Sequence, residues 1–295
     1  MKILVTGAKG QVGWELTRTL LPLGDVIAVD RSQADLSDLD GLRRLMQAQQ
    51  PDVIVNAAAY TAVDKAETEP DLAFLVNGEA PGVLAEEAKK NGALLIHYST
   101  DYVFDGSKDS VYTEQDSTNP LNVYGASKLA GEQAIQAAEA DHLILRTTWV
   151  YTARGHNFLK SILRLAAERE ELKIVADQIG APTWARLIAE TTAHVVRQSL
   201  LERQQGQFNS GIYNLTSSGE TSWHGFAQAI VEYARQQGNQ NLKTRNIHPI
   251  PTTDYPLPAT RPANSRLSVA KLEQHFGLQM PNWETAMRLC MQELV

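Results

Sequence analysis

The sequence predicts an α/β fold built on a doubly wound parallel sheet, Rossmann-like, with a second, smaller substrate-binding domain. Three observations predict it. Through the first 150 residues short apolar runs alternate with longer amphipathic ones. The first apolar run leads straight into a G-x-x-G-x-x-G loop. Beyond residue 150 the alternation gives way to helical stretches parted by Gly- and Pro-containing turns.

Taken in order, "KILVTG" reads as a strand, "QVGWELTRTLL" as a helix, "DVIAVD" as a strand, "DLDGLRRLMQAQ" as a helix and "DVIVNAA" as a strand. Next come "DLAFLVNGEAPGVLAEEAKKNG" as helix, "ALLIHYST" as strand, "NPLNVYGASKLAGEQAIQAAEA" as helix and "HLILRTTWV" as strand. Near-continuous Val, Ile and Leu runs mark strands covered on both faces, and helical crossovers between them make the sheet parallel. Asn119 is the expected cap of the fourth long helix and Pro120 its first-turn residue. Further helices are expected at about 157–169, 184–202 and 222–236, and "HPIPTTDYPLPATRP" holds too many prolines for a regular helix. The expected division is a dinucleotide-binding domain over 1–150 and a substrate domain over 151–295, with parts of 171–215 returning to the first.

Composition narrows the function. A chain of 295 residues with 43% hydrophobic and 21% charged residues is long enough for a substantial core. A net charge of −7 argues against nucleic acid or membrane as partners. Cys290 is the single cysteine, and none of the seven histidines stands three or four residues from another, so no built-in metal site is expected. With no signal-peptide pattern and no apolar run of ~20 residues, a soluble cytoplasmic protein is expected.

Gly7, Gly10 and Gly13 separate the first strand from the first helix. A dinucleotide site needs that arrangement: a tight turn, a place for backbone to approach a pyrophosphate, and a helix N-terminus aimed at the charge. Asp30 ends the second strand, where the ribose-binding acid of such folds belongs. Arg31 beside it could instead attract the 2′-phosphate of NADP, so NADPH and NADH both stay open as coenzymes.

Tyr124 and Lys128 stand four apart in a predicted helix and therefore share a face. An ammonium so close is expected to lower the phenol's pKa and ready it for proton transfer. That chemistry suits carbonyl reduction, in which hydride from a nicotinamide reaches carbon and a proton must reach oxygen. The fourth strand delivers Ser99 and Thr100 to the carboxyl edge of the sheet, beside this pair.

These residues carry a resemblance. The T-G-x-x-G-x-x-G loop, Thr100 and Y-x-x-x-K resemble the extended short-chain dehydrogenase/reductase family. "NAAAYTAVDKAE", "HYSTDYVFDG", "PLNVYGASKLAGE", "RTTWVY", "DQIGAPT" and "RPANSRL" resemble its branch that reduces 4-keto sugar nucleotides. The resemblance implies reduction of the 4-keto group of dTDP-4-dehydro-6-deoxy-L-mannose, a dTDP-sugar substrate. Thr100 would hydrogen-bond the ketone, Tyr124 would donate the proton, and Lys128 would hold the nicotinamide ribose. For the cofactor it implies Gly10, Gln11 and Val12 at the pyrophosphate, Asp30 at the ribose, Asp35 and Leu36 near the adenine, and Ala59, Tyr60, Thr61 and Tyr98 around the site. For the substrate it implies Asp101 and Trp149, with Asn157, Arg261 and Asn264 at the diphosphate. A homodimer joined through magnesium on glutamates is also implied, but Arg186 stands where an acid would be expected alongside Glu15 and Glu293, which puts Mg2+ in doubt. Two alternatives stay open: a dehydratase or epimerase on the same fold, although Asp101 is followed by Tyr102 rather than a second acid, and a non-catalytic regulatory subunit, which the intact Thr100, Tyr124 and Lys128 set argues against.

Overall fold

The computed structural model describes residues 1–294. The chain opens with β1 (Lys2–Thr6), α1 (Gln11–Thr19), β2 (Asp25–Val29), α2 (Leu39–Gln49) and β3 (Val53–Asn56). After the short α3 (Val63–Ala66), α4 (Pro70–Phe74) passes through a π-helical turn at Leu75–Glu79 into α5 (Ala80–Asn91). Then follow β4 (Leu94–Thr100), α6 (Val123–Ala137) and β5 (His142–Thr147). The remainder carries β6 (Val150–Tyr151), α7 (Phe158–Glu168), β7 (Glu171–Val175), β8 (Ile179–Gly180), β9 (Thr183–Trp184), α8 (Ala185–Gln204), β10 (Gly211–Asn214), β11 (Thr221–Ser222), α9 (Trp223–Gln236), β12 (Asn246–Ile250), α10 (Ala270–Phe276) and α11 (Trp283–Gln292).

Six strands pair in parallel in the order β2-β1-β3-β4-β5-β10. Period-two alternation sends side chains to opposite faces. Ile3, Val5, Val55 and Ile96 pack with Leu16 of α1 and Ile188 and Val195 of α8. Leu4, Ile54, Leu95 and Ile144 pack with Met46 of α2, Leu84 of α5 and Ile135 of α6. A third apolar cluster joins Tyr151, Leu159, Phe226, Trp283 and Cys290 beyond the sheet, where three two-stranded ribbons also lie. Pro249 is accommodated in β12 because that strand pairs only with β7.

Strand order reverses between β1 and β3, and the crevice outside such a switch point is where doubly wound sheets bind ligands. The start of α6 departs from expectation. Asn122, not Asn119, is the cap, its side chain accepting from the Gly125 amide at 2.8 Å, whereas Asn119 donates to Asp105. Tyr124 therefore lies in the first turn of α6. Among the described residues no helix is long and apolar enough to cross a membrane.

Candidate active site

The cleft at the switch point encloses about 740 Å³. Its floor is the glycine loop. Gly7 has φ +69°, and a Cβ there would meet the Ala57 carbonyl at 2.8 Å; a Cβ on Gly13 would meet the Gly7 oxygen at 2.1 Å. Only glycine lets β1, β3 and α1 approach so closely. Gly10 caps α1 without a side-chain hydrogen bond, so the first amides of that helix remain available to an anion. Gln11 and Val12 line the cleft with Gly7 and Gly10, and Gly13 packs behind them.

At one end stand Asp30, Arg31, Asp35 and Leu36, and Ala59, Tyr60 and Thr61 form a wall after β3. Asp30 pairs with Lys9 and accepts from the Ser32 amide at 2.8 Å and hydroxyl at 2.6 Å. These contacts hold its carboxyl down at about 2. Arg31 donates to Asp35 at 3.2 Å. The rim thus carries two acid–base pairs. No spacing argument points to Lys9; its place within the glycine loop is the one signal the sequence offers for it.

At the other end α6 brings Tyr124 against the end of β4. The small residues of α6 make this approach feasible: a Cβ on Gly125 would sit 2.2 Å from the Tyr102 oxygen, and one on Gly131 would sit 2.1 Å from the Asn77 oxygen. The Tyr102 and Tyr124 rings meet edge to face at 5.5 Å. Thr100, at the end of β4, donates to the Asp101 carboxylate at 3.0 Å and lies against the Tyr124 phenol.

The electrostatics correct one expectation. Burial pushes Tyr124 up to about 12, nearby Asp101 adds to the rise, and the Thr100 hydroxyl offsets part of it. Lys128 does not acidify the phenol. Its Nζ is turned to the sheet, donating to the Tyr98 carbonyl at 2.6 Å and standing 3.1 Å from His97 Nε2, and burial lowers it to about 8. Helical spacing set the two residues on one face, but the long lysine stem found a backbone acceptor on β4. Burial likewise raises Asp101 to about 6.

Other predicted residues are already committed to the fold. The Tyr98 hydroxyl is hydrogen-bonded to Thr192 at 2.6 Å, so this residue meets Lys128 through its carbonyl. Asn157 caps α7 and spends its NH2 on the Thr152 and Arg154 carbonyls, and Asn264 spends its own on Lys108 and Ser110. Both NH2 groups are thus fully paired within the fold. Arg261 forms a two-pronged pair with Asp64 at 2.7 and 2.8 Å. Trp149, at φ +47°, stacks on Trp223 with ring centres 3.7 Å apart. Such backbone strain in a bulky residue gathers at functional sites.

The glutamates that the resemblance associates with magnesium are bridged from within. Arg186 pairs with Glu15 at 3.2 Å and also with Glu293. A guanidinium paired with both carboxylates repels a divalent cation, so these residues do not fit magnesium.

Comparisons with known proteins match the whole length of the chain. The RmlD substrate binding domain family matches residues 1–295. A dTDP-4-dehydrorhamnose reductase of Burkholderia thailandensis is 57% identical, the alignment covering 100% of this chain and 99% of that protein. A crystal structure of a dTDP-4-dehydrorhamnose reductase from Clostridium acetobutylicum is 34% identical and superposes with a TM-score of 0.90, covering 100% and 99% of the two chains. Another, from Bacillus anthracis in complex with NADP, is 35% identical with a TM-score of 0.88 and 99% of each chain covered.

Proposed function

The chain belongs to the dTDP-4-dehydrorhamnose reductase family, and on that premise we propose that it reduces the 4-keto group of dTDP-4-dehydro-6-deoxy-L-mannose to dTDP-L-rhamnose. The observation that carries the reading is the contact of the Thr100 hydroxyl with the Tyr124 phenol at the carboxyl edge of the sheet, where Tyr124 lines one cleft with the glycine loop. NADPH or NADH bound there supplies hydride to the ketone carbon.

Tyr124 gives its proton to the ketone oxygen. Raised to about 12, the phenol is fully protonated at neutral pH, which a donor requires. Thr100, exchanging the Asp101 carboxylate for the ketone, offers a second hydroxyl to the same oxygen, and a donor of this kind contributes about 2.7–4 kcal/mol to the transition state. Lys128 holds the nicotinamide ribose. The uncapped amides of α1 receive the pyrophosphate and Asp30 receives the adenosine ribose. Lys9 and Arg31 temper the acids of the rim, so a 2′-phosphate is tolerated as well as a 2′-hydroxyl. Trp149, Asp101 and Arg261 face the sugar nucleotide, with Arg261 exchanging Asp64 for diphosphate oxygens.

The test is to supply the 4-keto sugar nucleotide with each coenzyme, follow nicotinamide absorbance, and identify the product by NMR. Reduction to the rhamno product is expected, and a talo product would overturn the assigned stereochemistry. Tyr124→Phe should lower kcat by about 10²- to 10⁴-fold. Undiminished turnover in that variant would refute its role as donor.

A further inference from the structure

A row of polar side chains crosses the sheet beneath the cleft. Thr6, Asn56 and His97 are in-register neighbours on β1, β3 and β4, all sealed from solvent. Lys128 of α6 ends the row. Groups so buried persist when each donor meets an acceptor, which allows their protons to be assigned by elimination. Asn56 Oδ1 accepts from the Thr6 hydroxyl at 2.6 Å and from the Ala58 amide at 3.3 Å. A rotated amide would set its NH2 against that Ala58 N–H. The NH2 therefore points at His97 Nδ1, 3.0 Å away, and Nδ1 is the acceptor. The imidazole proton is left on Nε2, facing Lys128 Nζ at 3.1 Å. A second ring proton would meet the Asn56 NH2.

We propose that His97 is a positioning residue for Lys128: as the Nε2–H tautomer it offers the lysine amine a donor and denies the ammonium an acceptor, so that the charged side chain is held at the sheet by the Tyr98 carbonyl alone. The kinetic consequence rests on the reductase reading; the proton assignment does not. The Tyr98 carbonyl accepts from Nζ in either form. The other ionisable groups around Nζ are Tyr124, one turn back along α6, and Glu132, one turn on and paired with Arg146 of β5. Glu132 favours the ammonium and burial the amine. With Lys128 at about 8 both forms are within reach of neutral pH, while burial keeps His97 well below its ordinary range and so neutral.

NMR of isotope-labelled histidine in the unaltered protein reads the tautomer directly. A protonated Nε2 and an unprotonated Nδ1 are expected for His97, and a protonated Nδ1 would overturn the proposal. His97→Gln replaces the fixed donor with an amide free to turn its oxygen to Nζ. The Lys128 titration midpoint, followed by NMR of isotope-labelled lysine, should then rise by about one to two pH units, the equivalent of one hydrogen bond to a charged group. The limb of the kcat profile that tracks Lys128 should move with it. An unchanged or lowered midpoint would also overturn the proposal. Both spectroscopic readouts are independent of turnover, so a lack of reduction would count against the assigned reaction and leave the role of His97 to be judged by the spectra.

Discussion

Glu132→Gln is expected to destabilise the protein by about 3–5 kcal/mol. Glu132 accepts from Arg146 Nε at 2.9 Å and Nη2 at 2.6 Å, and the two side chains are only 1% and 3% exposed. Glutamine keeps the shape but turns one acceptor oxygen into an NH2 aimed at a guanidinium N–H. It also leaves the positive charge uncompensated. Little else is there to hold that charge, since Arg146 Nη1 already lacks a partner and the Phe104 ring, 5.0 Å away, offers only a weak cation–π contact. Against a total stability of about 5–15 kcal/mol the loss is a large fraction. Equilibrium urea denaturation followed by tryptophan fluorescence should show a lower midpoint at unchanged slope. Removing both charges, in Glu132→Leu with Arg146→Met, should recover most of the loss. A loss below about 1 kcal/mol in Glu132→Gln, the range of exposed pairs, would refute the reasoning.

Asp101, raised by burial from 3.8 to about 6, binds a proton in the folded chain that the unfolded chain releases. Its contribution to stability is complete below pH ~4 and is lost as pH rises through ~6. Asp101→Asn should therefore be about 3 kcal/mol more stable than the parent near pH 8 and equal to it near pH 4, as compared by denaturation. Asp30→Ala removes a carboxylate and frees Lys9, so the ratio of kcat/KM with NADPH to that with NADH should rise about tenfold; an unchanged ratio would remove Asp30 from the ribose site. Gly13→Ala drives a Cβ into the Gly7 carbonyl at 2.1 Å, so the loop must shift. Coenzyme KM should rise at least about tenfold, with about 1–3 kcal/mol of stability lost.

What depends on neighbours along the chain is legible in the amino-acid sequence by itself. The apolar runs of β1, β3, β4 and β5 announce buried parallel strands because both faces of each must be covered. The glycine loop is readable because a tight turn, a close strand contact and an open helix start each exclude a side chain. The four-residue spacing of Tyr124 and Lys128 places them on one face because helical geometry is local. Even the cap of α6 lies within one helical turn of the expected residue, since Asn119 and Asn122 are equally able caps and Asn119 is claimed by Asp105.

Tertiary structure alone decided where each polar atom finds its partner. Lys128 reaches the Tyr98 carbonyl and His97 instead of acidifying Tyr124, and Asn157 and Asn264 serve loop carbonyls. Arg186 fills the gap between Glu15 and Glu293, which lie far apart in sequence. Glu132 finds Arg146 and Thr6 finds Asn56 across strands and helices. Periodicity records which face a side chain takes. It does not record which of several acceptors a buried donor will meet, because that choice is settled by packing between distant segments and by the cost of leaving any of them unpaired.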